Sequence, residues 1–164
     1  MKEWTGTQIE TAAKGLEQAA AGILGRMLFE FARLDVALGL FLAWSDEGRQ
    51  LERLTKVVSD YSFHKKLDLL KELVEVKYAT ELEVQSHYTK WLTDAHATKG
   101  RRNELVHGRW GTDPIQAQVV NVVGLPTSSD QREVRYSIPA LKGALDEMKD
   151  LQQRLQVLRK QWPI

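Results

Sequence analysis

Cysteine is absent from this chain of 164 residues. Its absence excludes disulfide bonds, thiol nucleophiles and zinc sites built on cysteine, and agrees with a reducing compartment. Long apolar runs are also missing, since the longest charge-free apolar stretch, Val36 to Ser45, is about half of a membrane-spanning helix. The segment Met1 to Gly6 lacks the apolar run of a signal peptide. We therefore expect a cytoplasmic protein with no membrane partner.

An excess of charge of either sign is missing too. The formal net charge is +1 and the pI is about 8.0, so nucleic-acid binding would require a local basic patch. The chain has no HExxH motif, no pair of histidines four residues apart, no glycine-rich phosphate loop and no GxSxG elbow. The sequence therefore predicts no metal and no cofactor, and its length favours a single domain over residues 1–164.

The first half of the chain has the periodicity of helices. Apolar residues recur at helical spacing from Thr7 to Trp44, although internal glycines leave open a break near Gly22 or Gly25. A short helix is predicted from Leu51 to Ser59. A second main helix is predicted to begin after Ser62, which is a good N-cap residue.

The second half combines two helices with a hairpin. A third main helix is predicted from Thr80 to His107, with Gly108 as its C-terminal cap and a kink at Gly100. Alternation in residues 117–138 predicts a β-hairpin, and a last helix follows from Pro139. Its apolar seam fits either a coiled-coil dimer or, as we favour, a core within one chain. The predicted fold is mainly α, a bundle of four main helices with a β-hairpin inserted before the last.

Arg102 falls on the apolar stripe of the third helix. A guanidinium cannot lose its charge there, so we expect a carboxylate or a bound anion beside it. Asp35 occupies the corresponding stripe of the first helix, which predicts that Asp35 faces Arg102. Such a pair can serve a functional site, or it can only fix the register of two helices.

Polar residues line one flank of the same helix. At 100° per residue, Asn103 and His107 share this flank with His96 and Lys99. His107 lies in the last turn, where the helix dipole favours a protonated imidazole that can hold a phosphate or donate a proton. The alternative is a histidine that only caps the last carbonyl groups.

Positive charge is concentrated around this flank. Lys99, Arg101, Arg102 and Arg109 are opposed only by Glu104, and this basic patch is large enough for one or two phosphates. It is equally consistent with a solvated face of the helix. The aromatic rings of Trp91 and Trp110 are candidates for stacking on a base, or for the core.

The run Arg102-Asn103-Glu104-Leu105-Val106-His107 resembles the Arg-polar-x-x-x-His motif of the HEPN superfamily, small all-helical domains named for nucleotide binding in higher eukaryotes and prokaryotes. The surroundings are similar as well, because the motif ends the third main helix, an acidic residue lies midway along the first, and Arg109-Trp110 follows. The resemblance implies a HEPN-like fold across roughly residues 7 to 162.

The resemblance implies a metal-independent endoribonuclease acting on RNA. In it Arg102 would hold the scissile phosphate, Asn103 would orient it, and His107 would act as general acid or base. Because the motif supplies one histidine per chain and cyclising transfer needs both an acid and a base, we expect a symmetric homodimer.

Other members of the superfamily are toxins, antiviral effectors and inactive scaffolds. A toxin–antitoxin or defence-like role, with an antitoxin or another protein partner, is therefore consistent with the resemblance. The alternatives are a non-catalytic module that binds a nucleotide or a protein, and a purely structural helical protein. A catalytic site predicts that Arg102 and His107 open together onto a basic cleft.

Overall fold

The computed structural model describes residues 4–164. These residues form a mainly α fold with a small antiparallel sheet before the last helix, as predicted. In chain order the elements are α1 (Gly6–Ala43), α2 (Leu51–Ser59), α3 (Phe63–Lys77), α4 (Leu82–His107), β1 (Arg109–Asp113), β2 (Gln118–Val123), β3 (Arg132–Ser137) and α5 (Ile138–Gln161). Among the described residues, no helix has the length and apolar character needed to cross a membrane.

Helix α1 is continuous over 38 residues, so the alternative of a break at Gly22 or Gly25 is wrong. Each internal glycine costs about 1 kcal/mol relative to alanine. Burial along the helix, from Ile23 to Leu38 and Leu42, outweighs that cost. Tertiary packing therefore decides the continuity of this helix.

The other helix ends follow local chemistry only in part. Ser62 is the N-cap of α3, as predicted, and its hydroxyl accepts a hydrogen bond from the backbone nitrogen of Lys65 at 3.3 Å. Helix α4 begins at Leu82, two residues after the predicted Thr80, and continues through Gly100. The predicted capping box therefore does not set the start of α4.

The sheet has three strands in the order β1-β2-β3, all antiparallel. Strands β2 and β3 are the predicted hairpin of residues 117–138, with Gln118 opposite Ser137. Strand β1 was not predicted, and it places Arg109 opposite Val122. Because β1 starts directly after α4, the sheet is tied to the end of that helix.

The described chain divides into two compact units, and α1, α4 and α5 each contribute to both. The first unit contains residues 4–29 and 100–147. Its buried apolar residues come from all three helices and from β2: Ala20, Ile23, Met27, Leu105, Val119, Val120, Leu141 and Leu145. The motif of α4 and the whole sheet belong to this unit.

The second unit contains residues 30–99 and 148–164 and is built around a helical core. Trp91 is fully buried there and its indole nitrogen donates to the carbonyl of Leu151 at 2.9 Å. Trp91 is therefore a core residue and does not form a stacking surface. The apolar seam of α5, including Leu151 and Leu155, is buried within one chain, which confirms the intramolecular interpretation.

Candidate functional site at the end of helix α4

Side chains of the sheet cap the last turn of α4. A helix leaves its last carbonyl groups without partners in the helix, so other groups must satisfy them. The indole nitrogen of Trp110 on β1 donates to the carbonyl of Leu105 at 2.9 Å. The side-chain amide of Asn121 on β2 donates to the carbonyl of Glu104 at 3.1 Å, as a second donor beside the backbone nitrogen of Gly108. The sheet therefore fixes the turn that carries the motif.

Gly108 allows this arrangement by having no side chain. Asn121 is fully buried, and a Cβ atom added to Gly108 would lie 1.5 Å from its Oδ1 atom. Gly108 was predicted as a helix cap, yet its φ is not in the left-handed region. Glycine is needed here for close packing, since the amide of Asn121 occupies the space of a side chain.

His107 is the last residue of α4 and its side chain is exposed. Within residues 4–164 it makes no hydrogen bond and no ion pair, and Trp110 and Asn121 satisfy two of the carbonyl groups in the last turn. The alternative of a histidine that only caps the helix therefore finds no support here. The imidazole is accessible to a ligand.

Arg102 is half-buried one turn before the helix end. Its Nη1 atom donates to Oδ1 of Asn103 at 3.0 Å, so the two predicted phosphate-binding residues are joined. Arg102 also lines a groove of about 180 Å³ within the first unit. The other residues of the groove are apolar: Leu24, Met27, Leu28, Leu105 and Val106.

The groove beside Arg102 is separate from the side chain of His107. His107 is not among the residues around the Arg102 groove. His107 lies five residues after Arg102 on α4. The two side chains therefore leave the helix in directions about 140° apart and at heights about 7.5 Å apart along its axis. The groove beside Arg102 therefore gives no support to the prediction that both side chains open onto the same basic cleft within one chain.

The predicted basic patch is partly neutralised. Arg101 forms an ion pair with Glu147, and Glu104 forms one with Arg132, which sequence analysis missed. Arg109 is exposed and makes no ion pair within the described part of the chain. Among the arginines of this group, Arg109 is thus the one most available to an anion.

Trp110 is half-buried and its ring lies against Tyr136, with ring centroids 5.9 Å apart. Burial raises the pKa of Tyr136, and the charge of Glu104 raises it further. Tyr136 therefore stays protonated near neutral pH. Trp110 acts here as a hydrogen-bond donor to α4, and the prediction of a base-stacking surface is not supported by this packing.

Asp35 has a different partner from the one predicted. Its Oδ1 atom lies 2.7 Å from Nζ of Lys66 within the second unit, so lysine takes the place expected for Arg102. Lys66 on α3 is buried, and its Nζ also lies 3.4 Å from the backbone carbonyl of Asp35. The long side chain of Lys66 reaches Asp35 from α3, a helix on which no partner of Asp35 was predicted.

His96 and Lys99 belong to the second unit, as Asp35 does, whereas Arg102, Asn103, His107 and the other predicted site residues belong to the first. His96 lies against His64, with ring centroids 5.3 Å apart, and His64 is next to Asp68. Partial burial and the neighbouring His64 lower the pKa of His96, and Asp68 opposes this shift. The sequence alone does not predict this cluster, because His64 and His96 lie on different helices.

A larger cavity of about 360 Å³ lies in the second unit, along α4 and α5. Its charged lining combines Glu83 with Lys90 and Arg154. It contains none of the predicted catalytic residues, and its mixed charge selects no single class of ligand.

The chain was compared with family models, curated proteins and solved structures, and none of the three comparisons finds a match.

Proposed function

We propose that this protein is a metal-independent endoribonuclease of the HEPN type that acts as a homodimer. The observation that carries the proposal is the accessible imidazole of His107 at a helix end whose carbonyl groups are held by Trp110 and Asn121. Because those carbonyl groups have other donors, His107 can exchange protons with a substrate.

Arg102 and Asn103 supply the charge in this proposal. The guanidinium offers several donors in a plane and stays charged at any physiological pH, which suits the non-bridging oxygens of a phosphate. The hydrogen bond from Arg102 to Asn103 restricts the orientation of the guanidinium before substrate binds. A fixed cation stabilises the charge that builds up on the phosphate in the transition state.

The reaction is a transfer of the phosphoryl group within the RNA strand. The ribose 2′ oxygen forms a bond to phosphorus, and the bond from phosphorus to the 5′ oxygen breaks. A base takes the proton of the 2′ hydroxyl and an acid gives one to the 5′ oxygen, leaving a 2′,3′-cyclic phosphate and a 5′ hydroxyl. Two copies of His107 in a symmetric dimer provide both groups.

The surface around Arg102 supports such a dimer. Leu28 is 45% exposed and Val106 is 43% exposed. Both line the groove beside Arg102. Apolar side chains exposed around a charged residue are typical of a subunit interface. In a dimer the arginine of one chain and the histidine of the other can face the same phosphate.

A second candidate is a module that binds a protein partner without catalysis. The ion pairs of Arg101 with Glu147 and of Arg132 with Glu104 favour it, because they reduce the charge available to RNA. An antitoxin or another protein would then occupy the surface around Arg102. Both candidates are compatible with a toxin–antitoxin or defence role.

A ribonuclease assay in excess EDTA tests the proposal. We expect the wild type to cleave a labelled single-stranded RNA and to leave cyclic phosphate ends. His107→Ala and Arg102→Ala should each lower kcat by about 100-fold or more. His87→Ala is the matched control, because it removes another exposed histidine of α4 and should leave cleavage unchanged.

Three results would contradict the proposal. Cleavage that survives both substitutions would exclude the assigned residues. Cleavage that stops in EDTA would exclude a metal-independent reaction. A monomeric mass by light scattering at micromolar concentration would exclude the shared site and favour the non-catalytic module.

A further inference from the structure

We propose that His64, Asp68 and His96 form a binding site for a divalent transition metal ion, with Zn²⁺ as the preferred ion. The site lies entirely within the second unit and joins α3 to α4. It is independent of the proposed ribonuclease function, because none of its three residues belongs to the Arg102 motif.

The first two ligands share one face of α3. His64 and Asp68 are four residues apart, so they project from the same side of the helix. The Nε2 atom of His64 lies 3.5 Å from Oδ2 of Asp68. Two ligands of a tetrahedral Zn²⁺ ion lie about 3.3 Å apart when each bond is about 2.0 Å. This pair therefore already has the spacing of a metal chelate.

The third ligand comes from α4. The rings of His96 and His64 meet edge to face, with an interplanar angle of 67° and centroids 5.3 Å apart. One potential ligand atom from each of the three residues lies within 4.8 Å of the other two. A shift of about 1.5 Å or less brings His96 to bonding distance of a shared ion. All three side chains are exposed, so this shift of the His96 side chain meets little resistance.

The donor set indicates which ions the site would take. Two imidazole nitrogens with one carboxylate oxygen suit Zn²⁺ and its neighbours in the first transition series. Mg²⁺ and Ca²⁺ prefer sites made of oxygen atoms. Three protein ligands leave the fourth tetrahedral position to water, and exposure lets the ion enter from solvent.

Other charges near the site set limits on its affinity. Lys99 lies one turn after His96 on α4, and its positive charge acts on the same imidazole. The charge of Lys99 weakens the binding of a cation, whereas the carboxylate of Asp68 strengthens it. A bound ion would link two helices that otherwise meet through side-chain packing, so binding should raise the stability of the folded chain.

Calorimetric titration of the tag-free protein with ZnCl₂ tests the site. We expect one Zn²⁺ per chain, with affinity at least about tenfold weaker in His96→Gln and in Asp68→Asn, because each substitution removes one ligand. His87→Gln is the matched control, since it changes another exposed histidine of α4, and it should bind like the wild type. Because the ligands are exposed, all variants should keep the circular dichroism of the wild type.

Two further measurements use the same proteins. Co²⁺ should give the visible absorption of a tetrahedral site in the wild type and in His87→Gln, and lose it in His96→Gln. Zn²⁺ should raise the midpoint of thermal unfolding in the first two proteins and have little effect in the third. Absence of stoichiometric Zn²⁺ binding would overturn the proposal. Equal affinity in the wild type and His96→Gln, or equally tight binding of Mg²⁺, would overturn it as well.

Discussion

The indole nitrogen of Trp110 lies 2.9 Å from the carbonyl oxygen of Leu105, so the first residues of β1 close the end of the helix that precedes them. This hydrogen bond and that of Asn121 to Glu104 add to the local bond from the backbone nitrogen of Gly108 to the Glu104 carbonyl. The hydrogen bonds of Trp110 and Asn121 thus hold the helix turn that carries the exposed His107.

Replacing the indole of Trp110 tests the hydrogen bond to the carbonyl of Leu105. Trp110→Phe keeps a ring beside Tyr136 but removes the donor to Leu105, so the free energy of unfolding should fall by about 1 kcal/mol. Hydrogen exchange should show faster opening of the last turn of α4. Trp44→Phe is the control, because the Trp44 side chain donates no hydrogen bond within residues 4–164. Equal acceleration in both variants would contradict the assigned role.

Gly108 should tolerate no side chain. Gly108→Ala places a methyl group on the Asn121 amide and should lower the free energy of unfolding by about 2 to 3 kcal/mol in urea titration. Gly100→Ala, inside α4, meets no atom within 4 Å and should raise stability by about 0.5 to 1 kcal/mol.

A double substitution separates steric conflict from a general effect of alanine at this site. Asn121→Ala removes the side chain that Gly108→Ala would strike, so the combined loss should be smaller than the sum of the two single losses. Additive losses would show that close packing is not the reason for glycine.

Replacing Asp35 and replacing Lys66 should lower the free energy of unfolding by different amounts, although the two residues form one ion pair. The side chain of Lys66 is 9% exposed and that of Asp35 is 35% exposed, so the lysine is harder to leave without a partner. Asp35→Asn should therefore lower the free energy of unfolding by about 2 to 3 kcal/mol, and Lys66→Met by about 1 kcal/mol. A larger loss for Lys66→Met in denaturant titration would contradict this order.

Asp113 should titrate below its ordinary pKa of 3.8. The hydrogen bond from Arg135 at 2.7 Å lowers the pKa of this carboxyl, and the backbone of Gln116 lowers it further. The folded state thus favours the carboxylate, so this stability is present above about pH 4 and is lost as pH falls through the folded pKa.

NMR titration of the Asp113 carboxyl group measures the effect directly. Arg135→Gln should return the pKa of Asp113 towards 3.8 and remove its contribution to the acid dependence of stability. Arg132→Gln is the matched control, because Arg132 pairs with Glu104. A pKa that is the same in the wild type and Arg135→Gln would contradict the assignment.

Most helices could be predicted because their information is local. The apolar period and the Ser62 cap suffice for α3, and the seam of α5 is regular. Strand β1 could not be predicted in this way, since Arg109 to Asp113 has no clear alternation and becomes a strand by pairing with β2. The strand forms because the edge of β2 is available for pairing, and the sequence pattern of β1 itself does not contain this information.

Residues of the candidate site that share one helix could be placed from the sequence, and their functional roles stay predictions. Arg102, Asn103 and His107 follow from the motif, and the bond between the first two agrees with their adjacency. Asn121 was missed, although a single amide inside a run of valines is an unusual choice for a strand. The partner of Asp35 and the neighbours of His96 depend on how separate helices meet, so periodicity on one helix could not identify them.

The tight fit between Gly108 and Asn121 has a consequence for how this sequence can vary. The two positions form a single steric unit, so a chain that gains a side chain at 108 must shorten the residue at 121 in the same step or find another way to end α4. Relatives that keep the same turn should therefore change both positions together, and covariation between them would identify chains that build the His107 turn in this manner.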